Sequence, residues 1–441
     1  MTGPDFVRLS VLTMSNLGDN VQCQRLLSDQ LPRSDERCLV VLTGARQVGK
    51  TTLAQATYPD VRYLSLDAVE TRVALGALPA DRWASSVGPA LLDEAHKAPA
   101  IFDKLKFAYD AGDVDFSALL GSAQIMLLRR VRESLAGRVL LYELWPLTLS
   151  ELAAGSGPIE RPLLLRVVEA DDPRAEIDAA PVVLPAETVA LRQSADHLAA
   201  WGGMPSLLHL SHERRRRWLA SYHDTYLQRD LGDLARLSDL EPFHRFQRLA
   251  ALRSAGIVSY ADLARDAGTA PRTARNYLEY LRLSYQVFLL QPFRPSRTAA
   301  TVKAPKLFWS DVGLVRHLTG NWGPATGALY ENLVVAEAVK LLRTAAADVG
   351  SFYHRTYGGS EVDLILETSR GILAIEAKSR PTWAPRDFSA LRRLAADIGG
   401  RFAAGIVVTG SDPVGGSLHD QIERVDDDPP LWAVPFHRLF G

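Results

Sequence analysis

Short apolar runs, each followed by a loop or by acidic residues, recur through the first third of the chain. The run from Cys38 to Thr43 precedes a glycine loop, Gly44 to Lys50, and Thr51 begins a segment suited to a helix. Ala90 to Leu92 form a second apolar run, and "SALLGSAQ" contains a third. Short apolar runs bounded by turns are typical of buried strands. The pattern therefore predicts an α/β domain with a parallel sheet core.

The middle of the chain carries a long segment with helical spacing, "HERRRRWLASYHDTYLQRDLGDLARL". Charged residues separate apolar or aromatic positions at Trp218, Leu219, Tyr222, Tyr226 and Leu227. This spacing indicates an amphipathic helix, which we interpret as a lid or connector. The run Arg214 to Arg217 favours a solvated helix face, and nucleic-acid contact is the alternative.

A second helical pattern, "SYADLARDAGTAPRTARNYLEYLRLSY", contains a break. Ser259 suits an N-cap, Gly268 suits the break, and Pro271 suits a first helical turn. The pattern predicts a helix-turn-helix unit that would present Arg272 and Arg275 to a major groove. Winged-helix units of ATPases also serve as packing or protein-contact modules, so both interpretations stay open.

From Gly327 onward the pattern predicts one helix, three strands, a second helix and a further strand. The helices are "ENLVVAEAVKLL" and "RDFSALRRLAADI", and the strands are "FYHRTY", "EVDLILE", "ILAIEAK" and "FAAGIVVTG". Residues 155–198 are rich in Pro, Ala and Asp and fit no such pattern, which favours a partly ordered insertion. We therefore predict three domains, residues 1–200 with that insertion, 201–320 and 321–441.

Composition narrows the classes of protein. The 441 residues include 50 basic and 51 acidic side chains, so bulk charge gives no case for a nucleic-acid or membrane partner. Cys23 and Cys38 are the only cysteines, which excludes a disulfide scaffold and a cysteine-built zinc site. No apolar run approaches the ~20 residues of a membrane span. We expect a cytoplasmic protein without a membrane partner.

The glycine loop matches the phosphate-binding pattern G-x-x-x-x-G-K-[ST] through Gly44, Gly49, Lys50 and Thr51. Glycines let backbone amides turn toward phosphates, and the following helix start adds a favourable dipole. Lys50 would reach the β and γ oxygens, and the Thr51 hydroxyl would ligate Mg²⁺. The predicted nucleotide-binding residues are Gly44, Ala45, Arg46, Gln47, Val48, Gly49, Lys50, Thr51, Thr52 and Ser122, although Arg46 and Gln47 also suit solvated positions.

Hydrolysis requires a carboxylate at the end of a neighbouring strand, and "GPALLDEAHKAP" supplies two. Asp93 would hold hydrated Mg²⁺, and Glu94 would polarise the attacking water. The letters DEAH also occur in helicases, but the other helicase motifs are missing, and we interpret His96 as an ordinary turn residue. Ser122 and Gln124 are candidate γ-phosphate sensors, with a plain strand end as the alternative. Arg138 is a candidate phosphate-charge stabiliser or a solvated arginine.

Four residues of the last region have the chemistry of a metal-dependent nuclease. Glu376 and Lys378 are two positions apart on a strand and share a face. Asp363 lies on the preceding strand, and Glu331 projects from the first helix. Three carboxylates, Glu331, Asp363 and Glu376, would hold one or two Mg²⁺ ions, and Lys378 would orient or deprotonate the attacking water. The order of helices and strands resembles the PD-(D/E)XK nucleases; a charged strand end is the alternative, and such domains also bind DNA without cutting it.

Motifs spread over nearly the whole chain carry a further resemblance. They are, in order, "GARQVGKTTL", "LLDEAHKAP", "SLAGRVLLYELWPLTLSEL", "WGGMPSLL", "YLQRDLGDL", "YLEYLRLSYQVFLL", "KLFWSDVGL", "GALYENLVVAEA", "SEVDLILE" and "ILAIEAKSR". The chain resembles a bacterial and archaeal family of AAA-type ATPases with a P-loop core, a winged-helix-like middle and a nuclease-like C-terminal domain. The family usually has proline at the position of Ala45 and glutamine near the position of His96. Arg229 and Asp230 correspond to a similar family pair, and a salt bridge is their alternative role.

These patterns together predict an ATPase that uses ATP and Mg²⁺ and positions the winged-helix-like and nuclease-like domains. DNA is the candidate substrate polymer, RNA is a second one, and a homo-oligomer is the candidate assembly. The alternative is a nucleotide-dependent switch that binds protein partners and carries the C-terminal domain as an inactive scaffold. A helicase is disfavoured because of its missing motifs.

Overall fold

The computed structural model describes residues 23–121, 124–183, 188–234, 241–294, 302–410 and 420–441. Their strands are β1 (Cys38–Gly44), β2 (Arg62–Ser65), β3 (Ala90–Asp93), β4 (Phe116–Leu120), β5 (Val139–Leu144), β6 (Gly256–Ile257), β7 (Val287–Pro292), β8 (Lys306–Trp309), β9 (Gly350–Arg355), β10 (Glu361–Thr368), β11 (Gly371–Lys378), β12 (Phe402–Thr409), β13 (Glu423–Asp427) and β14 (Pro430–Pro435).

The α-helices of the same residues are α1 (Lys50–Thr57), α2 (Val69–Ala77), α3 (Trp83–Ser86), α4 (Ala100–Ala111), α5 (Gln124–Ser134), α6 (Leu149–Ala154), α7 (Leu163–Glu169), α8 (Pro173–Asp178), α9 (Val189–Trp201), α10 (His212–Leu234), α11 (Glu241–Leu252), α12 (Tyr260–Ala267), α13 (Pro271–Leu283), α14 (Val312–Thr319), α15 (Gly327–Thr344), α16 (Ser389–Ile398) and α17 (Phe436–Phe440). Short 3₁₀ turns occupy Leu26–Gln30, Ala80–Arg82, Ala95–Lys97, Pro205–Leu207, Pro385–Phe388 and Gly399–Arg401. Within the described ranges, none of these helices combines the length and the apolar content that crossing a membrane requires.

The amino-terminal sheet has the strand order β2-β3-β4-β1-β5, and all its neighbouring strands are parallel. Every residue of β1 and β4 is buried, which explains why both strands are nearly continuous apolar runs. Successive residues of β1, such as Val40 and Val41, enter separate cores on the two faces of the sheet. Because the strands are parallel, the loop after β1 and the acidic residues after β3 lie at the same edge.

The second sheet joins the middle of the chain to its C-terminal region. Its nine strands have the order β13-β14-β12-β11-β10-β9-β7-β8-β6. β7 pairs in parallel with β9, with Gln291 opposite Phe352. The sheet therefore continues across the domain boundary that the sequence predicts near residue 320. The predicted order of one helix, three strands, a helix and a strand is present as α15, β9, β10, β11, α16 and β12.

The two helices that the sequence predicts on either side of Gly268 are present in the middle of the chain. The Ser259 side chain accepts from the Asp262 amide at the start of α12, and Gly268 ends that helix with φ 67°. Pro271 begins α13. The described elements from α11 to β8 follow the order helix, short strand, two helices and two strands.

Residues 155–198 differ from the sequence expectation of a partly ordered insertion. Their described residues form α7, α8 and the beginning of α9. Arg174 Nε donates to the carbonyl of Ala403, 2.9 Å away, and Asp178 Oδ1 accepts from Trp432 Nε1 at 2.8 Å. Apolar residues of α7 are buried. The composition of this segment was misleading because the apolar residues of α7 are buried and α8 packs against β12 of the second sheet.

α15 contacts the end of the amino-terminal domain through a buried ion pair. Lys340 Nζ lies 2.7 Å from Glu337 Oε2 and donates to the carbonyl of Leu147 at 3.0 Å. Glu337 also accepts from the Leu149 amide. Each charged group thus has a partner in the interior, as buried charges require. These contacts join α15 to the segment that follows β5.

Candidate nucleotide site and C-terminal carboxylate cluster

The glycine loop has a backbone that side chains cannot adopt without strain. Gly44 has φ 148°, and a Cβ at this position would lie 2.1 Å from the carbonyl oxygen of Leu144. Gly49 has φ 97° and immediately precedes α1. Both glycines of the sequence pattern are therefore required by the backbone. The loop ends at a helix start, where backbone amides favour an anion.

Lys50 is the first residue of α1, and its ammonium lies over the loop. Its Nζ donates to the carbonyls of Gly44 at 3.1 Å and Ala45 at 2.8 Å. The side chains of Ala45 and Val48 are buried, so only their backbone is available to a ligand. Gln47 is exposed in a left-handed conformation. This arrangement keeps a positive charge beside the helix start.

The structure brings Thr51 and Asp93 into contact, although 42 positions separate them. Thr51 Oγ1 donates to Asp93 Oδ2 at 2.8 Å, and the Tyr63 hydroxyl donates to the same oxygen at 2.8 Å. Burial, together with the neighbouring Asp93, raises the pKa of Tyr63 to about 12, so its hydroxyl remains a donor. A hydroxyl and a carboxylate are ligands that suit Mg²⁺. The chemistry of this pair fits the predicted metal role, and sequence reasoning missed Tyr63.

Glu94 follows Asp93 in a left-handed backbone conformation with φ 54°. Its Oε2 lies 3.4 Å from Nδ1 of the buried His96. The Glu94 amide donates to Asp93 Oδ1 at 3.0 Å. The interpretation of His96 as an ordinary turn residue is therefore revised, since His96 contacts the candidate catalytic carboxylate.

The other predicted phosphate contacts have different outcomes. Ser122 lies outside the described residues, and the side chain of Gln124 is likewise not described. Arg138 precedes β5, where Val139 pairs with Leu39 at the amino-terminal edge of the sheet. Six strand positions separate it from the glycine loop, about 20 Å at the usual strand rise. Arg138 instead pairs with Asp110 at 2.6 Å, so its proposed phosphate role was wrong.

Arg25 donates a hydrogen bond to the glycine loop, and no sequence pattern indicates this role of Arg25. Its Nη1 donates to the carbonyl of Val48 at 2.7 Å, and its Nη2 donates to the carbonyl of Trp145 at 2.6 Å. Its Nε donates to Glu151 Oε1 at 3.0 Å. A buried guanidinium with three such bonds fixes the loop in one conformation.

Two tyrosines from the middle of the chain contact the nucleotide-site region. The Tyr285 hydroxyl lies 2.6 Å from Thr43 Oγ1 and donates to Glu143 Oε1 at 3.3 Å. The Tyr222 hydroxyl, on α10, donates to the carbonyl of Arg46 at 3.4 Å. α10 therefore contacts the loop, in keeping with the predicted lid or connector. The side chains of Tyr226, Leu227, Arg229 and Asp230 lie outside the described residues.

The predicted residues of the C-terminal region also come together. Lys378 Nζ lies 2.6 Å from Glu376 Oε1, and Asp363 Oδ2 accepts from the Ala377 amide at 2.9 Å. Glu331 and Asp363 are joined by a fourth carboxylate, Glu361, and oxygens of these three residues lie within 4.8 Å of one another. We call Glu331, Glu361, Asp363 and Glu376 the carboxylate cluster.

Sequence reasoning assigned no chemistry to the turn before β10 and so missed Glu361. The spacing of the acidic residues could have indicated Glu361, since Glu361 and Asp363 are two positions apart on one strand and share a face. Burial raises the pKa of Asp363 and of Glu331, and it raises the pKa of Glu376 to about 8. The carboxylate cluster therefore strongly favours a bound proton or a cation.

Lys306 of β8 already contacts this cluster. Its ammonium donates to Glu331 Oε1 and Glu361 Oε1 and lies 3.9 Å from Asp363 Oδ1. Burial acts to lower the pKa of Lys306, but the three carboxylates outweigh burial and raise it. Oxygen donors suit Mg²⁺ in principle. These oxygens do not fit Mg²⁺ as they stand, because an ammonium is bonded to two of them.

Three segments of the chain match models of protein families. Residues 36–153 match the AAA domain. Residues 192–324 match a domain of unknown function (DUF8612), and residues 326–421 match another domain of unknown function (DUF4143). The chain is 29% identical over 355 residues to an uncharacterized protein of Mycobacterium bovis and to one of Mycobacterium tuberculosis. Each alignment covers 78% of this chain and 71% of the relative.

Two solved structures give distant similarities. The Walker-type ATPase PABY2304 of Pyrococcus abyssi is 14% identical, with a TM-score of 0.39, and the match covers 66% of this chain and 99% of that protein. A signal transduction ATPase with numerous domains from Pyrococcus horikoshii is 12% identical, with a TM-score of 0.26 and coverage of 72% and 46%. The family match supports an AAA-type ATPase domain in residues 36–153.

Proposed function

We propose that this chain binds ATP together with Mg²⁺ and hydrolyses it at the edge of the amino-terminal sheet. The observation that carries the proposal is the contact of Thr51 with Asp93 beside the helix start that Lys50 begins. The sequence pattern alone supplies a phosphate loop. The contact adds a carboxylate and a hydroxyl at one place, which is the arrangement that hydrolysis of a Mg²⁺-bound triphosphate requires.

Each residue has a distinct role in this proposal. The loop amides and the Lys50 ammonium bind the phosphates, and Thr51 and Asp93 would hold Mg²⁺. When bound, Mg²⁺ neutralises charge on the phosphates. Glu94 accepts a proton from the attacking water, and Nδ1 of His96 lies 3.4 Å from one of its carboxylate oxygens. Arg25 keeps the Val48 carbonyl directed away from the ligand.

DNA is the partner that we propose for the middle of the chain. Arg272 and Arg275 are exposed on α13, the second helix of the helix-turn-helix, and Arg275 lies over the Tyr260 ring at 4.9 Å. Arg214, Arg216 and Arg217 are exposed on α10. Exposed arginines on helices suit a phosphate backbone.

Phosphate release from ATP tests both proposals. We expect release that requires Mg²⁺ and that rises when single-stranded, duplex or branched DNA is added. The absence of any release would contradict hydrolysis. A Mg²⁺-dependent rate that no DNA form changes, at low as well as moderate salt, would remove DNA as the partner.

A nucleotide-dependent switch is the second candidate function, and Tyr285 favours it. This tyrosine is buried, lies at the end of α13 and has φ 61°, a conformation that is costly for a bulky residue. Its hydroxyl contacts Thr43, the residue before the glycine loop. A strained residue that connects two regions is suited to transmitting a change of state. We propose that ATP binding alters the middle of the chain through this contact.

Replacement of Tyr285 by phenylalanine is expected to uncouple the two regions. The ring would remain, but Thr43 and Glu143 would lose the hydroxyl that joins them to α13. We expect ATP affinity to change by less than about fivefold, since the lost bond contributes about 1 kcal/mol or less to binding. Hydrogen exchange over residues 271–292, measured with and without a non-hydrolysable ATP analogue, should lose its nucleotide dependence in this variant.

Tyr58→Phe is the matched control. Tyr58 is also buried; its hydroxyl donates to the carbonyl of Pro32 at 2.9 Å, and its ring packs on that of Phe116, both in the amino-terminal region. We expect this variant to keep the nucleotide-dependent exchange of the wild type. An identical nucleotide response in Tyr285→Phe and Tyr58→Phe would contradict the role of Tyr285.

For the C-terminal region we propose a nuclease-like fold and no phosphodiester cleavage. The element order from α15 to β12 and the convergence of Glu331, Asp363, Glu376 and Lys378 support the fold. The ammonium of Lys306 among these carboxylates argues against Mg²⁺-dependent chemistry there. The scaffold role named for this region in the switch interpretation is therefore the better supported one.

A further inference from the structure

The carboxylate cluster receives a cation from another part of the same chain. Lys306 belongs to β8, which pairs with β6 and β7, whereas the carboxylates belong to α15, β10 and β11. Its side chain is 3% exposed. The ammonium donates hydrogen bonds to Glu331 and Glu361, and an oxygen of Asp363 lies 3.9 Å from it. β8 thus places a buried positive charge beside carboxylates of α15 and of β10.

Aromatic rings complete the surroundings of this ammonium. Nζ lies 5.8 Å from the centroid of the Phe308 ring and 5.9 Å from that of Tyr353. Carboxylates in hydrogen-bonding contact and aromatic rings at this distance both stabilise an ammonium. A hydrated divalent ion, in contrast, requires oxygen atoms around it. These surroundings therefore suit the ammonium of Lys306 better than a hydrated divalent ion.

The charges of the site are nearly balanced without a metal. Lys306 contacts three carboxylates, Lys378 pairs with Glu376, and Arg355 Nη1 lies 3.2 Å from Glu361 Oε2. Four carboxylates therefore face three cationic side chains. A divalent ion would meet the repulsion of these cations and would compete for oxygens that Lys306 already binds.

We infer that Lys306 is a built-in counterion that takes the place of a divalent metal in the carboxylate cluster. The oxygens of Glu331 and Glu361 are then unavailable to Mg²⁺ for as long as β8 remains in the sheet. This inference goes beyond ATP hydrolysis and uses none of the residues of the nucleotide site. On this inference, a lysine of the chain itself blocks metal binding at the carboxylate cluster.

Lys306→Met tests the inference, because methionine keeps most of the length of the unbranched side chain and removes the charge. The probe is Mn²⁺, titrated without nucleotide into the full chain and followed by the electron paramagnetic resonance signal of free Mn²⁺. We expect Lys306→Met to gain a Mn²⁺ site that binds about tenfold or more tightly than any cluster binding in the wild type. The additional substitution Asp363→Asn should abolish this gain.

Lys303→Met is the matched control, since Lys303 is exposed and lies three positions before Lys306. It should bind Mn²⁺ like the wild type. The inference would be overturned by a wild-type Mn²⁺ site that Asp363→Asn removes, or by a folded Lys306→Met variant that gains no site.

A stability measurement keeps the test decisive if Lys306→Met folds poorly. Without its counterion the cluster should be destabilised, and Mn²⁺ should raise the melting temperature of this variant while leaving that of the wild type unchanged. A charge-balanced variant, Lys306→Met with Glu331→Gln, should recover part of the lost melting temperature. A Lys306→Met variant that neither binds Mn²⁺ nor is stabilised by it would overturn the inference.

Discussion

Glu94→Gln is expected to bind ATP as the wild type does and to turn it over about 10²-fold to 10⁴-fold more slowly. Glutamine matches the shape of the glutamate and cannot accept a proton from water. The bonds of Lys50 and Thr51 lie elsewhere at the site and should be unaffected. Phosphate release under saturating ATP measures the loss, and equilibrium binding of ATP confirms that the site is intact.

Glu70→Gln is the control for the loss of a carboxylate, since Glu70 is exposed at the start of α2. It should leave turnover unchanged. Turnover in Glu94→Gln that equals the wild-type rate would remove Glu94 as the base. His96→Ala should give a smaller loss than Glu94→Gln, because His96 contacts the base at 3.4 Å and acts only through it.

Lys50→Ala is expected to weaken ATP binding by about a hundredfold or more. A bond between a charged donor and phosphate contributes about 1.5–3 kcal/mol, and the ammonium of Lys50 would reach oxygens of two phosphates. In the described structure this ammonium donates to two loop carbonyls, which hold it beside the helix start. Displacement of a fluorescent ATP analogue measures the affinity.

Lys104→Ala supplies a matched control. Lys104 Nζ also donates to two backbone carbonyls, those of Leu75 at 2.7 Å and Gly76 at 2.6 Å, but it belongs to α4. Its loss removes the same kind of bonds at a different place. Unchanged ATP affinity in Lys104→Ala together with a large loss in Lys50→Ala would assign the effect to the phosphate loop. Equal losses in both variants would indicate a general effect on folding.

The sequence predicts the nucleotide site well because the requirements of that site are local. Gly44 and Gly49 are needed by the backbone itself, and Lys50 and Thr51 follow at fixed spacing. Asp93 is predictable because the apolar run Ala90 to Leu92 ends immediately before it. The parallel order of the strands then brings it to Thr51. The local sequence pattern, together with the rule that parallel strands end at the same edge of a sheet, was sufficient to predict these residues of the nucleotide site.

Contacts between distant parts of the chain were not predictable in this way. Arg25 supports a carbonyl 23 positions away, and Tyr285 meets Thr43 across 242 positions. Lys306 reaches a carboxylate 55 positions later, on a strand that the sequence assigned to a different domain. Each contact depends on how elements pack, and no periodicity in the sequence reports it.

Two errors had a different origin, since the signals were present. Arg138 stands before an apolar strand, and the amino-terminal end of a parallel strand lies at the edge opposite the ligand. Glu361 stands two positions before Asp363, a spacing that had already been used for Glu376 and Lys378. The same rules of strand direction and alternation, applied to every strand, correct both errors.

The central claim is that the loop from Gly44 to Thr51 binds the triphosphate of ATP. Calorimetric titration of the intact, folded chain with ATP in the presence of Mg²⁺ tests it most directly. The account predicts saturable heat from a single site in the wild type and its loss in Lys50→Ala. A folded wild-type chain that gives no heat with ATP or GTP would contradict it.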